Sequence, residues 1–184
     1  MGKSVIGDAR QSQMYMTRYF FGALRYHIMH RGDLDLDPHD HPWWFVTFPL
    51  RSYVEEVLTF KDGVWVKHLN VVKAFRFHYR PSRYAHRILG PLFPKLPLGD
   101  MYRAGSNQHY EVMDRLGIAE KERRIRTIVL RGKVREQWGF YAIIDGSNAG
   151  DWIPSKQYLA EKYGQGYYNP GRSSLTPENS GRTP

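Results

Sequence analysis

Turn signals recur at short intervals through much of this chain and limit the length of any element it can form. Gly22, the polar run 31–40, Pro49 to Ser52, Asp62-Gly63, Pro81 and Arg131-Gly132 each interrupt a stretch rich in aromatic and β-branched residues. Such side chains suit a pleated, half-buried surface, whereas Gly, Pro, Asn and Asp favour turns, so the pieces between breaks read as short strands. Residues 14–29 form one or two strands broken near Gly22, with a helix as the alternative. Residues 41–60 read as two antiparallel strands bent around Pro49 to Ser52, and Asp62-Gly63 as a tight hairpin turn. Past Lys73 comes a strand, the Pro81 break, and a strand carrying His86; later, Arg126 to Leu130 turns at Arg131-Gly132 into a partner strand over 134–144. Strands at this spacing imply an all-β fold, a closed barrel or a sandwich.

Two stretches depart from the pattern. Residues 91–122 begin with a loop containing Pro91, Pro94, Pro97 and Gly99 and continue into one or two short helices, a helical insertion in the barrel. Pro154 opens a short C-terminal helix ending near Tyr163, because proline fits the first helical turn. With 184 residues and 41% hydrophobic content, the expected organisation is a single domain over 1–163 followed by a tail over 164–184 rich in Gly, Pro, Ser and Asn.

The chemistry concentrates in histidine. His39 and His41 frame the tripeptide His-Asp-His, and alternate residues of an extended chain point to the same side, so both rings can aim at one point. His86, 45 residues beyond His41, supplies a third imidazole from a neighbouring strand. Imidazole suits zinc, iron, copper, nickel and manganese alike, so the trio does not name the ion. Cysteine is absent, which excludes thiolate ligands, iron–sulfur clusters and disulfides. Asp33, Asp35 and Asp37 alternate ahead of the histidines but do not make a calcium loop, which needs Gly where Pro38 stands and Glu where Trp44 stands. They read as a solvated turn or as supports that orient the imidazoles. His27, His30, His68, His78 and His109 have no partner at metal spacing.

"HRGDLDLDPHDHPWWFVTFPLRSYVEE", "RPSRYAHRI", "LRGKVREQWGF" and "DWIPSKQYL" together resemble the cupin superfamily, and more narrowly an uncharacterised cupin-like group of bacteria and tailed phages, over roughly Tyr26 to Tyr158. The resemblance implies a cupin-type double-stranded β-helix (jelly-roll barrel) with His39, His41 and His86 as metal ligands facing the interior, and a divalent transition metal (Fe, Mn, Zn or Ni) as cofactor. Many metal-binding cupins carry a Glu four or five residues after the second His; Phe45 and Val46 stand there, leaving a three-histidine site or one completed by Glu55, Glu56 or Asp40.

For the function, the first reading is a metal-binding protein that holds or transforms a small polar or anionic molecule by oxygen chemistry, isomerisation or metal-assisted hydrolysis. Glu136 is the candidate acid–base group and Arg135 a candidate anion holder; alternation places Arg87 opposite His86, as a surface ion pair. The second reading is a non-enzymatic interaction module, such as a virion component or host-protein binder, with the tail contacting a partner or another copy of the chain. The net charge of +9 motivates it, and together with Trp43, Trp44, Trp65 and Trp152 also permits nucleic-acid binding. No Gly-rich phosphate loop, Gly-x-Ser-x-Gly elbow or His-Glu-x-x-His pair occurs, so ATPase, serine hydrolase and zincin chemistry have no support. No run of 18 apolar residues is present and residues 1–13 lack the apolar stretch of a secretory signal. The expected location is the cytoplasm of a bacterial or phage-infected cell, or a virion, without membrane contact.

Overall fold

A computed structural model describes residues 1–8, 13–134, 137–143 and 150–163. The strands are β1 (Gly2–Asp8), β2 (Gln13–Phe21), β3 (Leu24–Met29), β4 (Phe45–Pro49), β5 (Tyr53–Lys61), β6 (Val64–Val72), β7 (His78–Arg80), β8 (His86–Pro91), β9 (Ile125–Arg131), β10 (Gly139–Ile143) and β11 (Gly150–Pro154). Short helices α1 (Leu98–Met101) and α2 (Gln108–Arg115) and a 3-10 turn (Glu120–Arg123) lie between β8 and β9, and α3 (Ser155–Tyr163) follows β11. No helix among the described residues is long and apolar enough to cross a membrane.

All pairing is antiparallel. The larger sheet has the order β1-β2-β3-β9-β4-β7, and β6-β5-β8 and β10-β11 form the other side. Residues 38–41 join those two pieces: His39 exchanges both backbone hydrogen bonds with His86, and isolated bridges tie it to His86 and Phe140. From β3 onward, counting residues 38–41 as a crossing to the smaller side, the chain alternates between the two sides apart from the β5–β6 and β10–β11 hairpins, and this alternation makes a double-sheet barrel. The architecture, mostly antiparallel strand with small helices, is compatible with the expected cupin-type barrel.

Local chemistry accounts for much of this. Asp62 (φ 52°) and Gly63 (φ 83°) both occupy the left-handed region, the pairing a two-residue I′ hairpin demands. Gly22 (φ 55°) helps turn β2 into β3, as expected. Two expected hairpins are corrected. β4 and β5 do not pair with each other: β4 lies between β7 and β9, and β5 between β6 and β8, so Pro49 to Ser52 carries the chain across the barrel. Likewise β9 pairs with β3 and β4 whereas β10 pairs with β11. Gly132 serves close packing instead of a hairpin turn: its N–H bonds the Trp44 carbonyl, and a Cβ there would meet the Trp44 indole at 2.3 Å. Strands β1 and β11 go beyond the sequence reading.

The inner core joins Met16, Met29, Tyr53, Val72, Ile88 and Ile125. A second cluster, Val54, Leu89, Met101, Tyr102 and Met113, lies between the outer face of β5 and β8 and the helical insertion. β5 and β8 are therefore covered on both faces, which is why Tyr53 to Leu58 and His86 to Pro91 are buried without alternation. Burying both faces brings polar groups inside. Glu55, Glu56 and Arg87 are wholly buried, and each must be paired to be tolerated.

Candidate metal centre

His39 and His41 reach the barrel interior because residues 38–41 run as a short extended segment between β8 and β10. Pro38 and Pro42 bound the segment and lack an N–H, so the donors between them carry the pairing. His39 N bonds His86 O at 2.9 Å, Asp40 N bonds Gly139 O at 3.0 Å, and His41 N bonds Ser82 O at 3.0 Å. Asp40 turns the other way: its carboxylate accepts from Gly139 N at 2.8 Å and Trp152 Nε1 at 3.1 Å. His86 opens β8 on the inner face.

The three imidazoles converge. One ring nitrogen from each of His39, His41 and His86 lies within 4.8 Å of the others, and His41 Nε2 stands 3.0 Å from His86 Nε2. Two nitrogens bound at about 2.0–2.1 Å to one cation sit roughly 2.9–3.4 Å apart, depending on the angle between them, so this pair already has the spacing of adjacent ligands. Phe45, Phe140 and Trp138 wall the group, with ring centroids 4.9 Å from His41 and 5.6 and 5.8 Å from His39.

Burial favours the neutral form of His39 and His41, the form that ligates metal. Burial lowers the pKa of His39, and burial followed by the charges of His39, His86, Arg18 and His27 places His41 well below its usual value. Behind His86 stands Glu55. Its Oε2 accepts from His86 Nδ1 at 2.9 Å, which leaves Nε2 as the lone-pair nitrogen directed at His41. Its Oε1 accepts from Arg80 Nη2 at 2.8 Å, Asn70 Nδ2 at 2.8 Å and Tyr84 Oη at 2.5 Å. Burial by itself raises the Glu55 pKa, but the hydrogen bond and charge of His86, the charge of Arg80 and the Tyr84 hydroxyl together take it down to about 2.

Of the proposed carboxylates, none joins the trio. Glu55 backs His86, Asp40 holds Gly139 and Trp152, and Glu56 faces outward with Arg87 Nε at 3.0 Å. The expected surface ion pair of Arg87 is instead buried beneath the insertion, where the guanidinium also reaches Asp35 O, Ser106 O and Asn107 Oδ1. Asp33, Asp35 and Asp37 brace the fold: Asp33 accepts from Ile88 N at 2.7 Å, Asp35 pairs with Lys162 at 3.0 Å, and Asp37 accepts from Tyr158 Oη at 2.7 Å. Arg135, Glu136 and the tail 164–184 lie outside the described residues. Sequence reasoning missed the role of Glu55, Arg80 and Tyr84. The signal was two adjacent carboxylates inside the otherwise apolar run "YVEEVL", where an unpaired charge could not stay.

No protein-family model matches the sequence, and no curated protein matches it. Among solved structures, a crystal structure of Fe(II)-HppE with an alternative substrate, (S)-1-HPP, is similar with a TM-score of 0.40 and 7% identity, covering 71% of this chain and 56% of that one. The chain thus spans little more than half the length of that protein.

Proposed function

We propose that His39, His41 and His86 hold a divalent metal ion and that the protein binds a small polar molecule at it. The observation that carries this reading is the convergence of three imidazoles, His86 buried and His39 and His41 half-buried, two of them 3.0 Å apart, with a buried carboxylate fixing the tautomer of one. A water or hydroxyl trapped between the rings would not require Glu55, Arg80, Asn70 and Tyr84 to be assembled behind His86; a ligand whose lone pair must face one way does. Bound there, the ion supplies Lewis acidity and coordination positions beyond the three imidazoles. The chain's own part is to present neutral imidazoles, to exclude bulk water with Phe45, Trp138 and Phe140, and to orient the ligand that enters.

The test is elemental analysis of the full chain purified without a histidine tag, beside His39→Ala and His86→Ala checked for folding by circular dichroism. Stoichiometric metal in the parent and its loss from both folded variants is the expected result. Metal content unchanged by either substitution overturns the assignment.

A further inference from the structure

The outer face of the six-stranded sheet is apolar across five of its strands. On β9 the alternate residues Ile125, Thr127 and Val129 are buried inward, so Arg126, Ile128 and Leu130 point outward and are exposed. Strand pairing extends that face sideways in two rows. Phe21, Leu24, Leu130, Val46 and Tyr79 form one across β2, β3, β9, β4 and β7, and Tyr19, Tyr26, Ile128 and Phe48 form the other across β2, β3, β9 and β4. Phe77 continues the second row, its ring centroid 4.9 Å from that of Phe48, and Phe75 meets the same ring at 6.4 Å. No side chain in either row carries a charge. Lys3, paired beyond Tyr19, and Arg126, the next outward position past Ile128, mark its rim.

This is more apolar surface than a monomer ordinarily shows. Phe21, Phe75, Phe77 and Tyr79 are 75%, 69%, 78% and 60% exposed. At roughly 150–250 Å² for an aromatic side chain, these four alone offer about 400–700 Å², against about 300–600 Å² for the largest patch of a typical monomer. The exposed Leu24, Ile128 and Leu130 and the half-buried Tyr19, Tyr26 and Phe48 bring the face to on the order of 800 Å², the share that each partner buries in a stable complex. The backbone supplies an independent sign. Phe75 sits at φ 58°, in the left-handed region that glycine enters freely and a bulky residue does not. Strain that only displays a ring to water serves nothing, whereas covering that ring offsets it.

We infer that this face binds a second copy of the chain, so that the protein is a two-fold dimer with its large sheets packed face to face. Sheets packed in this way lie about 10 Å apart with their strands within about 30° of alignment. A two-fold axis lying in the interface and crossing β9 between Ile128 and Leu130 sets the first row of one copy on the second row of the other. The same axis carries the two Arg126 side chains to opposite ends, about six residues or roughly 20 Å apart along the strand. Both rows are uncharged and of similar width, with β9 at their middle, so the face matches itself. An unrelated partner would have to bring an apolar sheet of the same width; a second copy has one already. The contact lies outside the barrel and does not rest on the metal reading.

The experiment is sedimentation velocity of the full chain at about 50 μM, above the micromolar end of the affinities that interfaces of this area span. The parent should sediment at twice the chain mass, and added salt should not disperse it, because the contact is apolar. Ile128→Glu/Leu130→Glu should weaken the dimer at least about thirtyfold and give a monomer with unchanged circular dichroism. Phe75→Ser/Phe77→Ser, in the turn ahead of β7, should do the same without touching the central strand. Phe60→Glu, on the β5–β6 hairpin and 60% exposed, should leave the dimer intact. A parent that sediments as a monomer overturns the inference, whether its face stays bare, is closed by residues 164–184 or serves a different protein. A dimer that survives both double variants overturns it too, by placing the contact elsewhere.

Discussion

Glu55 is the residue on which the geometry of the site depends most. It is a buried carboxylate four times hydrogen-bonded, with His86 among its donors. Glu55→Gln keeps the shape but replaces an acceptor pair with a mixed amide, weakening its hold on the His86 tautomer. Metal affinity should fall about 10- to 100-fold with stoichiometry retained, as read by chelator competition, because such supporting carboxylates typically contribute that much. Glu55→Ala should cost about 3–5 kcal/mol of stability, since it strands the Arg80 guanidinium in the interior.

His109 offers a second residue-scale test far from the chemistry. It is fully buried on α2, packs against Tyr110 with ring centroids 4.0 Å apart and the planes tilted by 44°, and among the described residues neither ring nitrogen has a hydrogen-bond partner. Burial, then the charge of Arg87, lowers its pKa to about 3. Because the folded pKa lies below the unfolded one, its contribution is complete above the unfolded value near 6.5 and is lost as pH falls toward about 3. In that window the unfolded chain binds a proton that the folded chain refuses, which amounts to about 1.4 kcal/mol per pH unit. His109→Phe should therefore flatten the loss of stability between pH 6 and pH 4 by about that slope in urea titrations. At neutral pH it should be stabilising by about 1 kcal/mol, through removal of unsatisfied polar atoms.

At the scale of elements, the insertion emerges as a working layer of the fold. Arg87 reaches from β8 to Glu56, to the loop before the histidines through Asp35 O, and to Ser106 and Asn107 at the start of α2. Arg87→Met should leave Glu56 only the Gly105 N–H and the Lys67 ammonium at 3.9 Å, destabilise the protein by about 3 kcal/mol, and accelerate amide hydrogen exchange in α2 more than in β9. Equal exchange in both would mean that the arginine does not anchor the insertion. How far the sequence foretold these elements follows from the range of the cause. Asp62-Gly63 announces its hairpin because two backbone angles decide it locally, and the His-Asp-His spacing announces one face of a strand for the same reason. The turns at Pro49 to Ser52 and Arg131-Gly132 were misassigned because a sharp bend looks the same whether the chain folds back on its neighbour or crosses to the opposite sheet. Only tertiary pairing distinguishes them. Glu55 meets His86 through the pairing of β5 with β8, while Arg80 reaches the same carboxylate from β7 in the opposite sheet and Tyr84 from the loop before β8, relations that no spacing along the chain displays.

At the scale of the whole molecule, the strands are held by backbone pairing and two apolar clusters away from the three histidines, so removal of metal should lower the melting temperature without unfolding the protein at 25 °C. Adding back the ion should raise the midpoint with concentration, by about 2.7 kcal/mol of stability at one hundred times its dissociation constant. Differential scanning calorimetry of the parent and of His86→Ala checks this, and a rise of equal size in both would remove the trio as its cause.

The short segment 38–41 is the seam along which β10, β11 and the helix after them are stitched to the rest of the smaller sheet. Two of the three histidines sit on that seam and the third on the strand it borders. A cation drawn in there would act as a rivet, so that loading the site and fastening the terminal hairpin to the barrel become one event.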